Sequence, residues 1–155
     1  MEFLFSFFFF VWNFCGKSNV KLIESLQERA LRFVYNDSTS SYESLLRSSK
    51  TESLQIQRLR AMALQVFKCI NKIGPSYLHD LFESKDTNYH LRDSNVVKQD
   101  KYFTVKYGFL SFKYHGAKIW NNLPANIKTT TNFKDFKYFI NTWEGPYCKC
   151  HYCCL

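Results

Sequence analysis

No two acidic residues are adjacent anywhere in the 155 residues, so the chain lacks the paired carboxylates a polymerase uses to hold two metal ions. It also lacks a Gly-rich phosphate loop, a serine flanked by glycines, and two histidines one helical turn apart, which removes the local signatures of nucleotide hydrolases, serine hydrolases and hydrolytic metal helices. Glycine and proline are scarce, at five and three, and that excludes collagenous and linker-dominated chains. His79, His90 and His115 stand alone in sequence, as do Asp80 and Asp135, without the neighbouring partner that a general base needs. The expectation is a noncatalytic chain.

What is abundant is aromatic. Sixteen Phe and ten Tyr, in a chain that is 46% hydrophobic and 19% aromatic, exclude disorder and suit either a thick core or surfaces that stack on bases. The length fits one domain of ordinary size.

Charge is unevenly distributed. Of 21 basic and 13 acidic residues, the last 55 positions hold eight Lys against Asp135 and Glu144 alone, a net +6, whereas the first hundred carry +2. Within that basic part Lys101, Tyr102, Phe103, Lys106, Tyr107, Lys113 and Tyr114 interleave cations with rings. Lysine attracts phosphate and rings stack on bases, so this composition suits a polyanion-binding face. The alternative is a solvated basic face with its aromatics turned inward. Lys118 extends the same run, and Arg58 and Arg60 place two further cations on a helix, where such rows are usually a solvated face.

Phe3 to Phe14 is apolar apart from Ser6 and Asn13, and is shorter than the roughly 17 residues a membrane-spanning helix requires. Glu2 leads it and no small-residue cleavage point follows, which disfavours a secretory signal. The expected location is intracellular, nuclear or cytoplasmic, with thiols reduced.

Six cysteines divide into Cys15, Cys69 and a cluster at Cys148, Cys150, Cys153 and Cys154 with His151 inside it. Clustered thiolates beside an imidazole are soft ligands suited to zinc, with Cys148, Cys150 and Cys153 as three corners and His151, Cys154 or a distant residue as the fourth. All five candidates fall within seven residues, whereas closed sites draw on two separated pairs, so a reduced tail is the competing reading.

Periodicity predicts a mainly α protein, a small helical domain with a short β-hairpin as an option. Ile23, Leu26, Ala30, Phe33 and Val34 recur at helical spacing from Asn19 to Tyr35. Ser40 with Glu43, and Ser49 with Glu52, have capping-box spacing, and a long helix follows with Leu59, Met62, Ala63, Val66, Phe67, Ile70 and Ile73 on one side, closed by Gly74 and Pro75. A helical turn or two is expected over Tyr77 to Phe82, and a loop or weak strand over Glu83 to Gln99. Tyr102 to Tyr107 favours strand, with Gly108 as a hairpin turn. Helix returns from Phe112 until Leu123 and Pro124 stop it. A last helix is capped by Asn132, with Phe133, Phe136, Ile140 and Trp143 on one face before Gly145 and Pro146.

One segment is distinctive. Ser111-Phe112-Lys113-Tyr114-His115-Gly116-Ala117-Lys118-Ile119-Trp120-Asn121-Asn122-Leu123-Pro124 resembles the S-F-x-Y-x-G-A-x-x-W-N-x-L-P segment near the C-terminus of reverse transcriptases from LINE-type, non-LTR retrotransposons of the Jockey-like clades. The likeness extends upstream through Arg58 to Leu64, Leu26 to Asp37 and Val11 to Lys17. Downstream it continues through Phe133, Phe136, Lys137 and Trp143 to Cys148-x-Cys150-x-x-Cys153, with His151 and Cys154 as additions to that family's three-cysteine tail.

The resemblance implies a region beyond the polymerase core, detached from the fingers and palm and their two adjacent aspartates. Such a region would grip template RNA or target DNA during target-primed reverse transcription, with the missing polymerase domain as its other partner. Its layout would be a Phe-rich stretch at 1–10 outside the likeness, a helical domain at 11–146, and a Cys/His-rich tail at 147–155. The competing expectation is a packing piece of the polymerase with no activity of its own.

Overall fold

The computed structural model describes residues 17–85 and 95–145, with the side chains of Lys17 and Lys106 outside that description. The Phe-rich stretch, Cys15, His90 and the whole Cys/His tail lie outside the described residues. The described chain is mainly helical, in line with the expected class: α1 is Lys17–Tyr35, α2 Tyr42–Ser49, α3 Leu54–Ile70, α4 Phe112–Asn122, α5 Ala125–Lys128 and α6 Phe133–Thr142. A 3-10 turn, Ser76–Leu81, and a π-helical turn, Val105–Phe109, complete it. The chain divides into two compact units, Met1–Arg58 and Leu59–Leu155.

In the first unit, α1 turns its polar side to α2. The Tyr42 hydroxyl donates to Glu24 Oε2 at 2.8 Å and Gln27 Oε1 at 2.6 Å. The other oxygen of Glu24 accepts from the Gln55 backbone N–H at 2.7 Å and faces Arg58 at 3.5 Å. One carboxylate thus caps the first turn of α3, where donors otherwise lack partners. This network overrides the apolar periodicity of α1: Leu26, Phe33 and Val34, expected to face inward, are exposed along with Leu22.

The caps differ in detail from the spacing argument. Ser41, rather than Ser40, caps α2 by accepting from Ser44 N–H. Ser40 instead joins the turn around Asp37, whose carboxylate accepts from the backbone N–H of Thr39 and Ser40 and from both hydroxyls. Those donors hold the Asp37 carboxyl well below the usual carboxylate range. Ser49 closes α2 by bonding back to Leu46 O, and α3 begins at Leu54 with Ser53 accepting from Ile56 N–H, so Ser49 and Glu52 form no capping box.

Three helices end alike. Asn36, Lys50 and Lys72 have φ of 48°, 52° and 54°, and in each case the next residue's N–H reaches back to a carbonyl five residues before it. The bonds are Asp37 to Arg32, Thr51 to Leu46 and Ile73 to Lys68. This is the left-handed termination usually given to glycine. Gly74, expected to stop α3, comes after the turn has been made.

The core of the second unit is built around Phe67 on α3 and Phe136 on α6, whose rings stack with centroids 4.2 Å apart. Trp120 on α4 lies 6.0 Å from Phe136 and 6.5 Å from Phe67. Leu59, Met62, Val66 and Ile140 fill the space around them. Burying each large apolar side chain contributes about 1.5–3 kcal/mol. Asn132 caps α6 as expected, accepting from Lys134 N–H at 3.0 Å, and Phe136, Ile140 and Trp143 face inward.

Gly116 on α4 lies close against the side chains of Val66 on α3 and of Phe82. A Cβ there would lie 2.9 Å from Val66 Cγ2 and 2.7 Å from Phe82 Cζ. The segment after Phe82 pairs with 95–98 through one antiparallel bridge, Ser84 with Val97, the loop-or-weak-strand expected there. Asn121 grips that segment from the other side: its Oδ1 accepts from Val97 N–H and its Nδ2 donates to Val97 O, both at 2.9 Å. Trp120 Nε1 donates to Asn95 O at 3.0 Å.

The hairpin expected around Gly108 does not form. Val105–Phe109 is a π-helical turn, because the rings of Tyr102 and Phe109 pack on each other at 5.1 Å instead of alternating across a strand. Gly108 fits there because a Cβ would stand 2.9 Å from Tyr102 Cβ.

Candidate nucleic-acid interface

Ser111 organises the region by capping α4: its hydroxyl accepts from Tyr114 N–H at 3.3 Å and donates to Gly108 O at 2.6 Å. The π-helical turn is thereby fixed to the start of α4, and the rings on both meet. Tyr114 lies 4.9 Å from Tyr102 and 5.4 Å from Phe109, centroid to centroid. His115 stands behind them, 5.1 Å from Phe109 and only 4% exposed. Burial, with Lys118 nearby, pushes the His115 imidazole down to about 4, so at neutral pH it is uncharged.

A cleft of about 350 Å³ opens over this cluster, lined by Gln99, Tyr102, Phe109, Tyr114, Lys118, Asn121 and Asn122. The Asn121 amide bonds Val97 at both ends, and the other polar side chains of the lining are Gln99, Lys118 and Asn122, with tyrosine hydroxyls beside them. Burial raises the Tyr114 hydroxyl above its ordinary value, keeping it protonated.

Around the cleft the surface is basic and aromatic. Phe103 is 95% exposed and Tyr107 79%, so these two rings are not turned inward. Lys101 is exposed. Lys113 is exposed and pairs with Asp100 at 2.6 Å, which holds the Asp100 carboxyl below its usual range. Positions 98–118 carry five lysines against Asp100 alone.

The sequence candidates therefore separate. Lys101, Lys113 and Lys118 belong to one part of the molecule, and Lys106 lies in the π-helical turn between them, its side chain outside the described residues. Arg58 does not join them: it is 5% exposed, in the first unit, with its guanidinium on Glu24 and Nε on Leu54 O. Arg60 is half-buried and donates from Nε to Trp143 O at 2.8 Å, tying α3 to the end of α6. Both arginines take part in packing, Arg58 as a buried side chain and Arg60 through its Nε. Gln99, Phe109 and Asn122 were missed, because periodicity says nothing of residues that meet only once the π-helical turn docks on α4.

The proposed zinc ligands Cys148, Cys150, His151 and Cys153 lie outside the described residues. Among the described residues no group of three or more His, Cys, Asp or Glu could hold a metal ion. Cys69 is buried, and burial pushes its thiol up. No described helix is long and apolar enough to cross a membrane.

Comparison with protein-family models, with curated proteins and with solved structures gives no match to this chain.

Proposed function

We propose that this chain is a noncatalytic, nucleic-acid-binding accessory region of the kind that follows the polymerase core in non-LTR retrotransposon reverse transcriptases. The observation that carries the reading is the surface of residues 98–118. There Phe103 and Tyr107 present their rings to solvent among Lys101, Lys113 and Lys118, which is the combination that holds a polyanion and stacks its bases. The S-F-x-Y-x-G-A-x-x-W-N-x-L-P resemblance supplies the context, and its residues form α4 and the cap that holds this surface in place.

The test is binding of labelled RNA and DNA by the full chain across a salt series. If Lys101, Lys106, Lys113 and Lys118 each neutralise one phosphate, affinity falls about 50- to 150-fold between 50 and 200 mM salt. Binding at low salt no tighter than to an acidic control protein refutes the proposal.

A second reading is supported by a different observation. Leu22, Leu26, Phe33 and Val34 leave an apolar strip on α1 exposed, as expected of a piece that buttresses a polymerase domain not in this chain. Concentration-dependent aggregation, abolished by making Leu26 and Phe33 polar, supports that role. A soluble monomer over the same concentration range counts against it.

A further inference from the structure

We propose that the cleft over Tyr102, Phe109 and Tyr114 is a pocket for one unpaired base, which makes single-stranded nucleic acid the substrate of this surface. This rests on the nucleic-acid-binding reading above and deepens it.

Three features of the cleft carry the inference. Its floor and walls are rings: Tyr102, 46% exposed, stands edge-on to Tyr114 at 78° and 4.9 Å, so a planar guest can lie along one ring while its edge meets the other. Its polar complement is neutral and amide-rich. Gln99 and Asn122 can each donate and accept, as the edge of a base requires, while the Asn121 amide already gives one donor and one acceptor to Val97. Its one cation is Lys118, at the cleft wall where the backbone phosphate of an inserted nucleotide would need neutralising. The volume of about 350 Å³ is room enough for one base.

A duplex offers its phosphates to the surrounding lysines but keeps its bases stacked in pairs, so it cannot fill the pocket without paying for unstacking. A single strand already has its bases free to splay. The exposed rings of Phe103 and Tyr107 lie outside the cleft, where neighbouring bases of the same strand can stack.

The experiment measures binding of three labelled probes of equal length by the full chain: an oligouridine single strand, the same strand with abasic sugars throughout, and a duplex. The expected result is that the base-bearing strand binds more tightly than the abasic strand by tenfold or more, about tenfold of it from the base in the pocket and the rest from bases on Phe103 and Tyr107. In the Tyr102→Leu variant, which keeps an apolar body against Phe109, that ratio falls about tenfold, leaving the share that Phe103 and Tyr107 supply. Folding of the variant is checked by its thermal melt. A 5-bromouridine strand supplies an independent readout on the wild-type chain, with photocrosslinks expected on Tyr102, Phe109 or Tyr114. Equal binding of base-bearing and abasic strands, or crosslinks confined to Phe103 and Tyr107, overturns the pocket while leaving the basic surface intact as a binder. Absence of binding to all three probes overturns both.

Discussion

Gly116 is the position where a single added carbon should be felt most. Gly116→Ala places a methyl 2.9 Å from Val66 Cγ2 and 2.7 Å from Phe82 Cζ, both well inside contact distance. Val66 is fully buried on α3, and a β-branched residue in a helix has essentially one rotamer, so it cannot turn away. Phe82 follows the 3-10 turn and is 8% exposed, but its ring is held edge-on by Phe112 at 5.4 Å. Overpacking of this kind costs about 1–3 kcal/mol. Against it stands the helix preference of Ala over Gly, about 1 kcal/mol.

The expected net effect is a loss of about 1 kcal/mol, a fall in Tm of ~2–4 °C for a chain of this size. The assay is denaturant unfolding followed by tryptophan emission, since Trp120 and Trp143 are buried in the same core. A second measurement isolates the cause. Val66→Ala alone removes two methyl groups and costs ~1.6 kcal/mol or more. In the double variant the two small residues share the space, so the changes should couple favourably by about 1 kcal/mol. Stabilisation by Gly116→Ala alone, or additivity within about 0.5 kcal/mol, refutes the close contact.

Three further outcomes follow from geometry already described. Lys50→Gly and Lys72→Gly each replace an exposed residue held at positive φ and should each stabilise by about 1 kcal/mol, read as a rise in Tm; no change would show the strain to be absorbed elsewhere. Glu24→Ala removes one of the two acceptors of Tyr42 together with the carboxylate that Gln55 and Arg58 share, leaving a buried guanidinium without its counter-charge, so it should cost about 2–4 kcal/mol, with faster amide hydrogen exchange across residues 17–58; unchanged exchange there sinks the account. His115 has a folded pKa of about 4, below its ordinary 6.5, so its contribution is fully present above pH 6.5 and is lost as pH falls towards 4. The loss amounts to about 3 kcal/mol. A Gln at this position should flatten that window in a pH series of unfolding curves; an unchanged slope would mean that other groups produce it.

The helices that bury apolar side chains were legible because burial and periodicity agree there. Phe133, Phe136, Ile140 and Trp143 repeat at helical spacing behind Asn132, and of these Phe136, Ile140 and the C-cap Trp143 are buried while Phe133 is half-buried. Helix α1 was misread on its faces because its partner contact is polar: Glu24 and Gln27 meet Tyr42, and hydropathy spacing does not register a hydrogen-bond network. The left-handed ends at Lys50 and Lys72 were invisible because lysine carries no preference for that conformation, while Gly74 and Pro75 drew attention two residues too late. The β preference of Tyr102, Phe103, Thr104, Val105 and Tyr107 points to a strand where the chain forms the π-helical turn. Contacts from Tyr102 to Phe109 and Tyr114 outweigh that preference. Of the candidate site, the lysines and tyrosines were legible from composition, but the cleft was not, since it exists only once Ser111 has fastened the turn to α4.

The hold of Asn121 on Val97 leaves this short stretch of extended backbone with no open flank. On one side Lys85 N–H meets Val96 O and Lys98 N–H meets Glu83 O, both at 2.9 Å; on the other a single carboxamide occupies the donor and acceptor that a further strand would need. Exposed edges of extended chain recruit copies of themselves into fibrils. Here one side chain takes the seat of a whole strand, and growth by that route is blocked at Val97.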